Sequence, residues 1–357
     1  MKKITILFIV FFIANTMTLK AQVAISKNAA FFKASEFEEK RFDDFKKTTT
    51  IFVLNNLYEK KQYEEMLKSS WTITPFEVID LKDFKYENYM TDKYSFCMMY
   101  GYTSISQNVE STRFLIHFYL LDMDLINKKI KKLKNNDYYD FLIDKKKNLA
   151  YIELIPNAEI YNLTDTKFTS GVRLPSFNTS HNYGYLNNKK SEFEVKMSNK
   201  IYNEKVFHNY NLGTLKNNFQ EVNRLLLAKE FCGFNHETTT SELKQLKNKV
   251  LYLPEYLKKE YLIRPVEFKL FDEEKLNKIL SAYPYKIEFI SEKELEDKIL
   301  NNEDIYYLKF GFEYRYFHVI NGKTGSIVYQ NYSNGMMKTN LTQSDFKDLV
   351  KAINKQK

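Results

Sequence analysis

The chain has 357 residues, of which 44% are hydrophobic and 28% are charged, and its formal net charge is +9. This composition is typical of a globular protein and excludes a wholly disordered chain, which would lack the apolar residues for a core. With only 9 Gly, 6 Pro and 2 Cys, the chain is neither collagen-like nor a small disulfide-stabilised scaffold. Since domains average about 150 residues, the length favours two domains.

The N-terminus has the layout of a secretory signal peptide. Lys2 and Lys3 are followed by an apolar run over 4–14, and Ala21 precedes Gln22 at the predicted cleavage site. The apolar run is too short to span a bilayer, which takes about 20 residues. We therefore predict that residues 1–21 are removed and that the mature protein is exported, to the periplasm or outside the cell, without a transmembrane segment. An uncleaved N-terminal anchor is the alternative.

Two stretches of the mature chain have similar sequences, which predicts a duplicated fold. Residues 64–76 align without a gap to residues 273–285, and strand-like segments flank both stretches. Each copy predicts the order β-α-β-α-β-β, with first helices at 63–70 and 272–282 and second helices at 81–90 and 292–300. The βαβ steps imply mixed sheets covered by helices, an α/β fold with α+β as the alternative. Because few positions are identical, chance similarity remains the other explanation.

These patterns divide the chain into five predicted regions. They are a signal peptide (1–21), an N-terminal helical segment (22–47), a first α/β repeat (48–165), an irregular and helical connector (166–246), and a second α/β repeat with a C-terminal helix (247–357). In the connector, Thr214 is predicted to cap a helix whose apolar residues recur at i, i+4, i+7 and i+11 from Leu215.

The histidines do not have the spacing of a metal site or of a known catalytic motif. They are His117, His181, His208, His236 and His318, and no two lie four residues apart. The sequence also lacks a P-loop, a dinucleotide-binding glycine motif and a serine-nucleophile elbow. We therefore predict no catalytic residue, no metal and no cofactor, and the binding residues stay unassigned.

The two cysteines are predicted to be separate buried thiols. Cys97 lies in an apolar, strand-like run, and Cys232 follows the connector helix. A disulfide is the alternative, because disulfides persist in the compartments that exported proteins reach. Cys232 with His236 is the best candidate for a thiol nucleophile and its base, but no family signature surrounds the pair.

Lysines and tyrosines are the remaining candidates for ligand contacts. Residues 128–147 contain eight Lys, which can attract anionic lipid or polysaccharide. Tyrosines that can stack on sugars, if exposed, are Tyr183, Tyr185, Tyr202 and Tyr210. The default interpretation is a solvated lysine surface and partly buried tyrosines. Export disfavours a nucleic-acid partner.

Four segments of the mature chain are distinctive. They are TTTIFVLNN at 48–56, W-x-x-TPF at 71–76, NLGTLKNNFQEVN at 211–223 and VINGKTGSIVY at 319–329. The chain thereby resembles a group of exported bacterial proteins of unknown function. The resemblance implies export but no activity. We predict a non-enzymatic binding or structural module of the cell envelope, whose partner is an envelope protein or a glycan. The alternatives are a hydrolase with its site between the two repeats and a glycan-binding protein.

Overall fold

The computed structural model describes nine stretches of the chain. They are residues 23–28, 34–106, 109–129, 145–165, 192–234, 237–263, 266–312, 316–332 and 339–356. The predicted cleavage site at Ala21 and Gln22 lies outside the described residues.

The first unit is built on a six-stranded sheet with the strand order β1-β6-β5-β4-β2-β3. Its strands are β1 (Val23–Ile25), β2 (Thr49–Val53), β3 (Phe76–Val78), β4 (Tyr94–Ser106), β5 (Val109–Leu121) and β6 (Lys146–Leu154). Its helices are α1 (Lys40–Lys46), α2 (Lys60–Lys68) and α3 (Met123–Lys129). Three helices follow β6 in the chain: α4 (Ala158–Asp165), α5 (Glu192–Asn203) and α6 (Leu212–Ala228).

The second unit is built on another six-stranded sheet, with the strand order β7-β14-β13-β12-β8-β11. Its strands are β7 (Thr238–Thr239), β8 (Leu251–Pro254), β11 (Ile287–Ile290), β12 (Tyr306–Phe310), β13 (Tyr316–Asn321) and β14 (Ile327–Tyr332). Its helices are α7 (Glu273–Leu280), α8 (Glu292–Leu300) and α9 (Gln343–Lys355), with a 3₁₀ helix at Ser241–Lys247. A separate hairpin, β9 (Lys259–Ile263) and β10 (Val266–Leu270), is inserted after β8.

The two sheets have the same topology, which confirms the prediction of two similar mixed-sheet α/β units. In the first sheet β2 is parallel to both β3 and β4. In the second sheet β8 is likewise parallel to both β11 and β12. The other neighbouring strands are antiparallel in both sheets. The correspondence also includes the outermost pairs, because β1 lies beside β6 just as β7 lies beside β14.

The second helix of the first unit is a difference from the predicted pattern. Where a helix was expected over 81–90, the chain forms two short 3₁₀ turns, Leu81–Asp83 and Tyr86–Asn88. Phe84 and Tyr86 are both buried and their rings are 4.9 Å apart. Residues two apart on an α-helix are rotated by about 200° about its axis and therefore lie on opposite faces. A continuous helix would turn one of the two rings out of the core.

The first helices of the two units dock to different depths. Leu67 of α2 is fully buried, as predicted. Leu276 at the matching position of α7 was also expected to be buried, but it is only partly buried, and Ile279 is the buried residue of that helix. The duplicated topology therefore does not impose identical packing, because each helix settles according to its own apolar residues.

Helix α6 lies between the two units and is buried on nearly all sides. Its apolar residues Leu215, Phe219 and Val222 belong to the core that includes β2 and β5. That same core continues through Tyr307 and Ile320 of the second sheet. The helix makes its most extensive packing contact with α8 of the second unit. It therefore couples the cores of the two units.

The start of α6 differs by three residues from the prediction. Asn211, not Thr214, is the N-cap, and its side chain accepts a hydrogen bond of 2.9 Å from the backbone N–H of Thr214. The Thr214 hydroxyl in turn accepts one from the backbone N–H of Asn211, which completes a capping box. Gly213 then packs against α8, where an added Cβ would lie 2.9 Å from the Cα of Glu296.

The inserted hairpin provides a second contact between the units. Strand β10 packs against α4, and the ring of Tyr161 lies 5.2 Å from that of Tyr261 and 5.7 Å from that of Phe268. This insertion has no counterpart in the first unit. It joins the second unit to the chain that follows the first sheet.

Candidate functional site

The tyrosines predicted to stack on sugars are not an exposed surface where the structure describes them. Tyr202 and Tyr210 are both 1% exposed. The Tyr210 hydroxyl accepts a hydrogen bond of 3.1 Å from the backbone N–H of Asn55, deep in the first core. Tyr183 and Tyr185 lie outside the described residues. For Tyr202 and Tyr210 the sugar-stacking hypothesis is wrong, because their rings are buried in the core and cannot reach a ligand.

The two cysteines are buried and unbridged, as predicted. Burial raises the pKa of the Cys97 thiol well above its usual value. Cys232 forms an antiparallel bridge to Ile25 at the edge of the first sheet, and its thiol donates to the carbonyl of Val23 at 3.2 Å. The proposed base His236 lies outside the described residues. A thiol that is fully buried against β1 is not placed to attack a substrate.

The predicted lysine surface is described only at its ends, since residues 130–144 lie outside the described part of the chain. Lys128 and Lys129 are exposed at the end of α3. The ammonium of Lys146 lies 4.3 Å above the Tyr119 ring, and burial lowers its pKa to about 7. At least this lysine contributes to packing rather than to a cationic surface.

His117 and His318 occupy equivalent positions in the two sheets. His117 on β5 pairs with Met98 of β4, and His318 on β13 pairs with Lys309 of β12. Both imidazoles are buried, and burial lowers both pKa values well below the usual value. The sequence placed both histidines on strands, as found, but did not reveal that they correspond.

A cluster of buried polar groups, here called the junction, lies where the two units meet. It consists of Arg113, Glu153, Asn218, Lys309 and His318, each no more than 5% exposed. The guanidinium of Arg113 donates twice to one carboxylate oxygen of Glu153, at 2.9 and 3.1 Å. The ammonium of Lys309 donates to the side-chain oxygen of Asn218 at 3.3 Å.

The electrostatics of the junction are governed by burial. Burial raises the pKa of Glu153, while the positive charges of Arg113 and Lys309 oppose the shift. Burial lowers the pKa of Lys309 well below its usual value, and Glu153 opposes that shift too. The Lys309 charge contributes to the lowered pKa of His318. The junction therefore couples groups from both units in a low-dielectric setting.

The cavities beside the junction are very small. One is lined by Arg113, Glu153 and Tyr161 together with Gly311 and Tyr316, and another by His208, Asn211, Tyr256, Glu292 and Lys309. Each has about 10 Å³ of free space. That is the volume of about one water molecule, so neither has room for a substrate.

His208 belongs to a separate ion pair at the edge of this region. Its Nδ1 lies 3.1 Å from a carboxylate oxygen of Glu292, and Lys205 pairs with the other oxygen at 3.0 Å. The imidazole stacks on Tyr256 with ring centroids 4.5 Å apart. Burial pushes the pKa of Glu292 up, but His208 and Lys205 outweigh it and the pKa is lowered. These contacts hold the loop between α5 and α6 to the start of α8.

A larger, open groove lies on the second unit between the sheet edge and helix α9. Its volume is about 450 Å³, within the range of about 300–1,000 Å³ typical of ligand pockets. The walls are formed by β7 and β14 on one side and by one face of α9 on the other. The residues that line it are Glu237, Thr239, Tyr329, Gln330, Asn331, Asp348, Lys351, Ala352, Lys355 and Gln356.

The charged side chains of the groove are balanced in sign. Glu237 and Asp348 are acidic, and Lys351 and Lys355 are basic; all four are exposed. Within the described part of the chain, none of them forms an ion pair. Burial raises the pKa of the Tyr329 hydroxyl, and Asp348 and Glu237 add to the shift, so both carboxylates lie near it. No sequence pattern marks this groove, because its residues are typical of an ordinary surface.

No family model, curated protein or solved structure matches the chain. Among the helices of the described residues, none combines the length and the apolarity needed to cross a bilayer. In the same residues, no group of three or more His, Cys, Asp or Glu side chains is arranged to hold a metal ion.

Proposed function

We propose that the mature protein is an exported binding module of the cell envelope that holds a polar ligand in the groove of its second unit and catalyses no reaction. The observation that carries the proposal is the groove itself. It combines a ligand-sized volume with four exposed charges that form no ion pair among the described residues. Export rests on the signal-like layout that ends at Ala21 and Gln22.

The junction supports a structural role for the most reactive groups of the protein. Arg113, Glu153, Lys309 and His318 are the groups that a hydrolase between the two units would use, yet they are buried next to water-sized cavities. Arg113 with Glu153 and Lys309 with Asn218 form buried hydrogen-bonded pairs, while the His318 nitrogens have no hydrogen-bond partner among the described residues. Buried pairs of this kind help to specify how two surfaces meet. We therefore assign the junction to assembly of the two units and the groove to binding.

Binding is tested with the purified mature chain and a low-molecular-weight pool released from cell envelopes. Native mass spectrometry is expected to detect a bound species on the wild type, which the double variant Lys351→Glu/Lys355→Glu loses. Lys347→Glu is the matched control, because Lys347 is exposed on the same helix but does not line the groove. A wild-type protein that binds nothing, or that converts pool components into new masses, would contradict the proposal.

Export is tested by sequencing the N-terminus of the protein isolated from cells. We expect it at Gln22 or within two residues of it, in the envelope or the medium. Intact Met1 on most of the protein in the cytosol would contradict export.

A further inference from the structure

The corner occupied by the groove has a counterpart in the first unit, where the same space is closed. His117 pairs with Tyr151 of β6, and the equivalent His318 pairs with Gln330 of β14. Tyr151 therefore corresponds to Gln330, which aligns β6 with β14. In this alignment Val23 and Ile25 of β1 correspond to Glu237 and Thr239 of β7. The two N-caps, Asn211 and Thr342, likewise align α6 with α9.

Apolar packing closes the corner in the first unit. Val23, Ile25 and Ile152 on the sheet are buried, as is Leu225 on α6. Helix α6 therefore contacts β1 directly. Cys232 completes the closure, because its backbone exchanges hydrogen bonds with Ile25 at 2.9 and 3.2 Å.

Polar residues occupy the matching positions in the second unit. Asn331 lies at the position of Ile152, and Gln356 lies at the position of Leu225. Glu237 and Thr239 likewise lie at the positions of Val23 and Ile25. An apolar seam at this corner would have buried surface at about 25 cal/mol per Å². The second unit lacks this stabilisation by apolar burial and has an open cleft lined by polar groups instead. A concentration of polar residues where the fold itself favours apolar packing is a feature of a binding site.

The charges of the groove are ordered along α9. Asp348 and Glu237 both line the groove and both act on the Tyr329 hydroxyl, which defines an acidic end. Lys351 and Lys355 follow it by three and seven residues, which is about 4.5 and 10 Å along a helix axis. A ligand with a positive and a negative end of similar separation would satisfy both.

The geometry points to a short peptide of two or three residues with free ends as the ligand, its amino group at Glu237 and Asp348 and its carboxylate at Lys351 and Lys355. This inference rests on the proposed binding function and specifies its ligand. An extended residue spans about 3.3–3.6 Å, so two or three residues reach about 7–11 Å. The hydroxyl of Thr239 and the amide of Gln356, whose nitrogen donates to the carbonyl of Ala352 at 3.3 Å, line the groove between the two charged ends. Asn331 also lines it and hydrogen-bonds the Tyr329 side chain.

Other ligand classes fit the groove less well. A polyanion would meet Glu237 and Asp348, and a polycation would meet Lys351 and Lys355, each at the cost of like-charge repulsion. A neutral sugar would need an exposed aromatic face to stack on. The ring of Tyr329 is only 5% exposed and offers none.

The test is calorimetric titration of the mature chain with trialanine, N-acetyl-trialanine and trialanine amide. We expect trialanine to bind, and each blocked peptide to bind at least tenfold more weakly, since a lost ion pair of about 1.4 kcal/mol is a factor of ten. Glu237→Gln/Asp348→Asn should weaken the binding of trialanine. In this variant N-acetyl-trialanine should bind as tightly as trialanine does. Lys351→Gln/Lys355→Gln should abolish the penalty for the amide. Lys347→Gln is the control and should bind as the wild type does.

Two results would overturn the peptide assignment: no trialanine binding by the wild type, or equal binding of free and blocked peptides. Binding of a neutral chitin tetramer that Lys351→Gln/Lys355→Gln leaves intact would also overturn it, while the envelope-pool experiment still supported a binding module. A wild-type protein that holds no bound species in the pool experiment would instead overturn the proposed function itself.

Discussion

The two units share one strand order but use their closing helices differently. Helices α6 and α9 both begin with a capping box and both place apolar residues on their own sheet. Leu215 and Val222 of α6 correspond in this way to Phe346 and Ile353 of α9, and all four are buried. The opposite face of α9 is exposed, whereas that of α6 is covered by the second unit.

The covered face of α6 is polar, and its side chains are individually bonded. Lys216 donates to the carbonyl of Ile299 at 2.9 Å, and Asn217 to that of Gly322 at 2.9 Å. Asn218 accepts from Lys309, whereas the matching residue of α9, Leu349, is buried in the second core. The comparison shows that a polar helix face can be an internal interface when most of its buried polar atoms find partners. Among the described residues, the amide nitrogen of Asn218 has no hydrogen-bond partner.

The strongest test of this interface is to remove a charge from the junction. Glu153→Gln leaves the buried guanidinium of Arg113 without a carboxylate, and breaking a buried ion pair costs about 3–5 kcal/mol. Urea unfolding should show that loss of stability, while Glu274→Gln on the exposed face of α7 should change it by less than about 0.5 kcal/mol. Arg113 and Glu153 lie on neighbouring strands of the first sheet, and Glu153 also interacts with Lys309 of the second unit. A loss below about 1 kcal/mol for Glu153→Gln would mean that this buried carboxylate contributes little to stability.

The second test compares the matching leucines of α2 and α7. Leu67→Ala should cost about 3–4 kcal/mol, because it opens a cavity at a fully buried site. Leu276→Ala should cost about half as much, since the side chain is partly exposed and solvent fills the space it leaves. Both are measured by urea unfolding. Equal costs would contradict the different docking depths of the two helices.

The third test uses pH to compare the equivalent histidines. The folded pKa of His117 and of His318 lies well below the unfolded value of about 6.5, so the unfolded chain binds more protons between those two values. Stability is therefore retained above about pH 6.5 and falls as the pH drops, by up to about 1.4 kcal/mol per pH unit for each histidine.

His318→Gln should remove one of these two contributions, so that the loss of stability between pH 7 and 5.5 shrinks by about 1–2 kcal/mol. The Lys309 charge also lowers the pKa of His318, and Glu153 acts on Lys309. The same titration on Lys309→Met measures how much the Lys309 charge contributes to the pH dependence of stability. Stability curves that are flat between pH 7 and 5.5 in the wild type would show that protonation of these imidazoles is tolerated in the fold.

The smallest expected effect concerns the two helix caps. Asn211→Ala should cost about 1–2 kcal/mol, because the cap of α6 is buried and no water can replace its hydrogen bond. Thr342→Ala, at the half-exposed cap of α9, should cost about 0.5–1 kcal/mol. Thermal unfolding of both variants measures the difference. A costlier Thr342→Ala would reverse the roles assigned to the two helices.

Much of the fold was predictable because its signals are local. The apolar runs of β4, β5 and β12 indicate strands, and the Asn321–Gly325 turn indicates the hairpin between β13 and β14. The failed helix over 81–90 shows the limit of such signals. Its polar pattern suits a helix, but Phe84 and Tyr86 had to enter the same core.

The candidate site was not predictable from the sequence. Glu237, Asp348, Lys351 and Lys355 are individually typical of a solvated surface, and only the alignment of β7 with β1 identifies their corner as one that the first unit closes. β7 is only two residues long, so no sequence pattern marks it as the partner of β14. The aromatic and cysteine candidates attracted attention because of their chemistry, yet the core buried them.

The sequence by itself determined the duplication and most of the strands and helices of the two units, because these depend on periodicity and on neighbours along the chain. Only the tertiary structure decided which polar face is internal, which histidines correspond and which corner stays open. The physical reason is that burial of a polar group is settled by partners distant in the chain. Lys309 and Asn218 are 91 residues apart, and Arg113 and Glu153 are 40 apart.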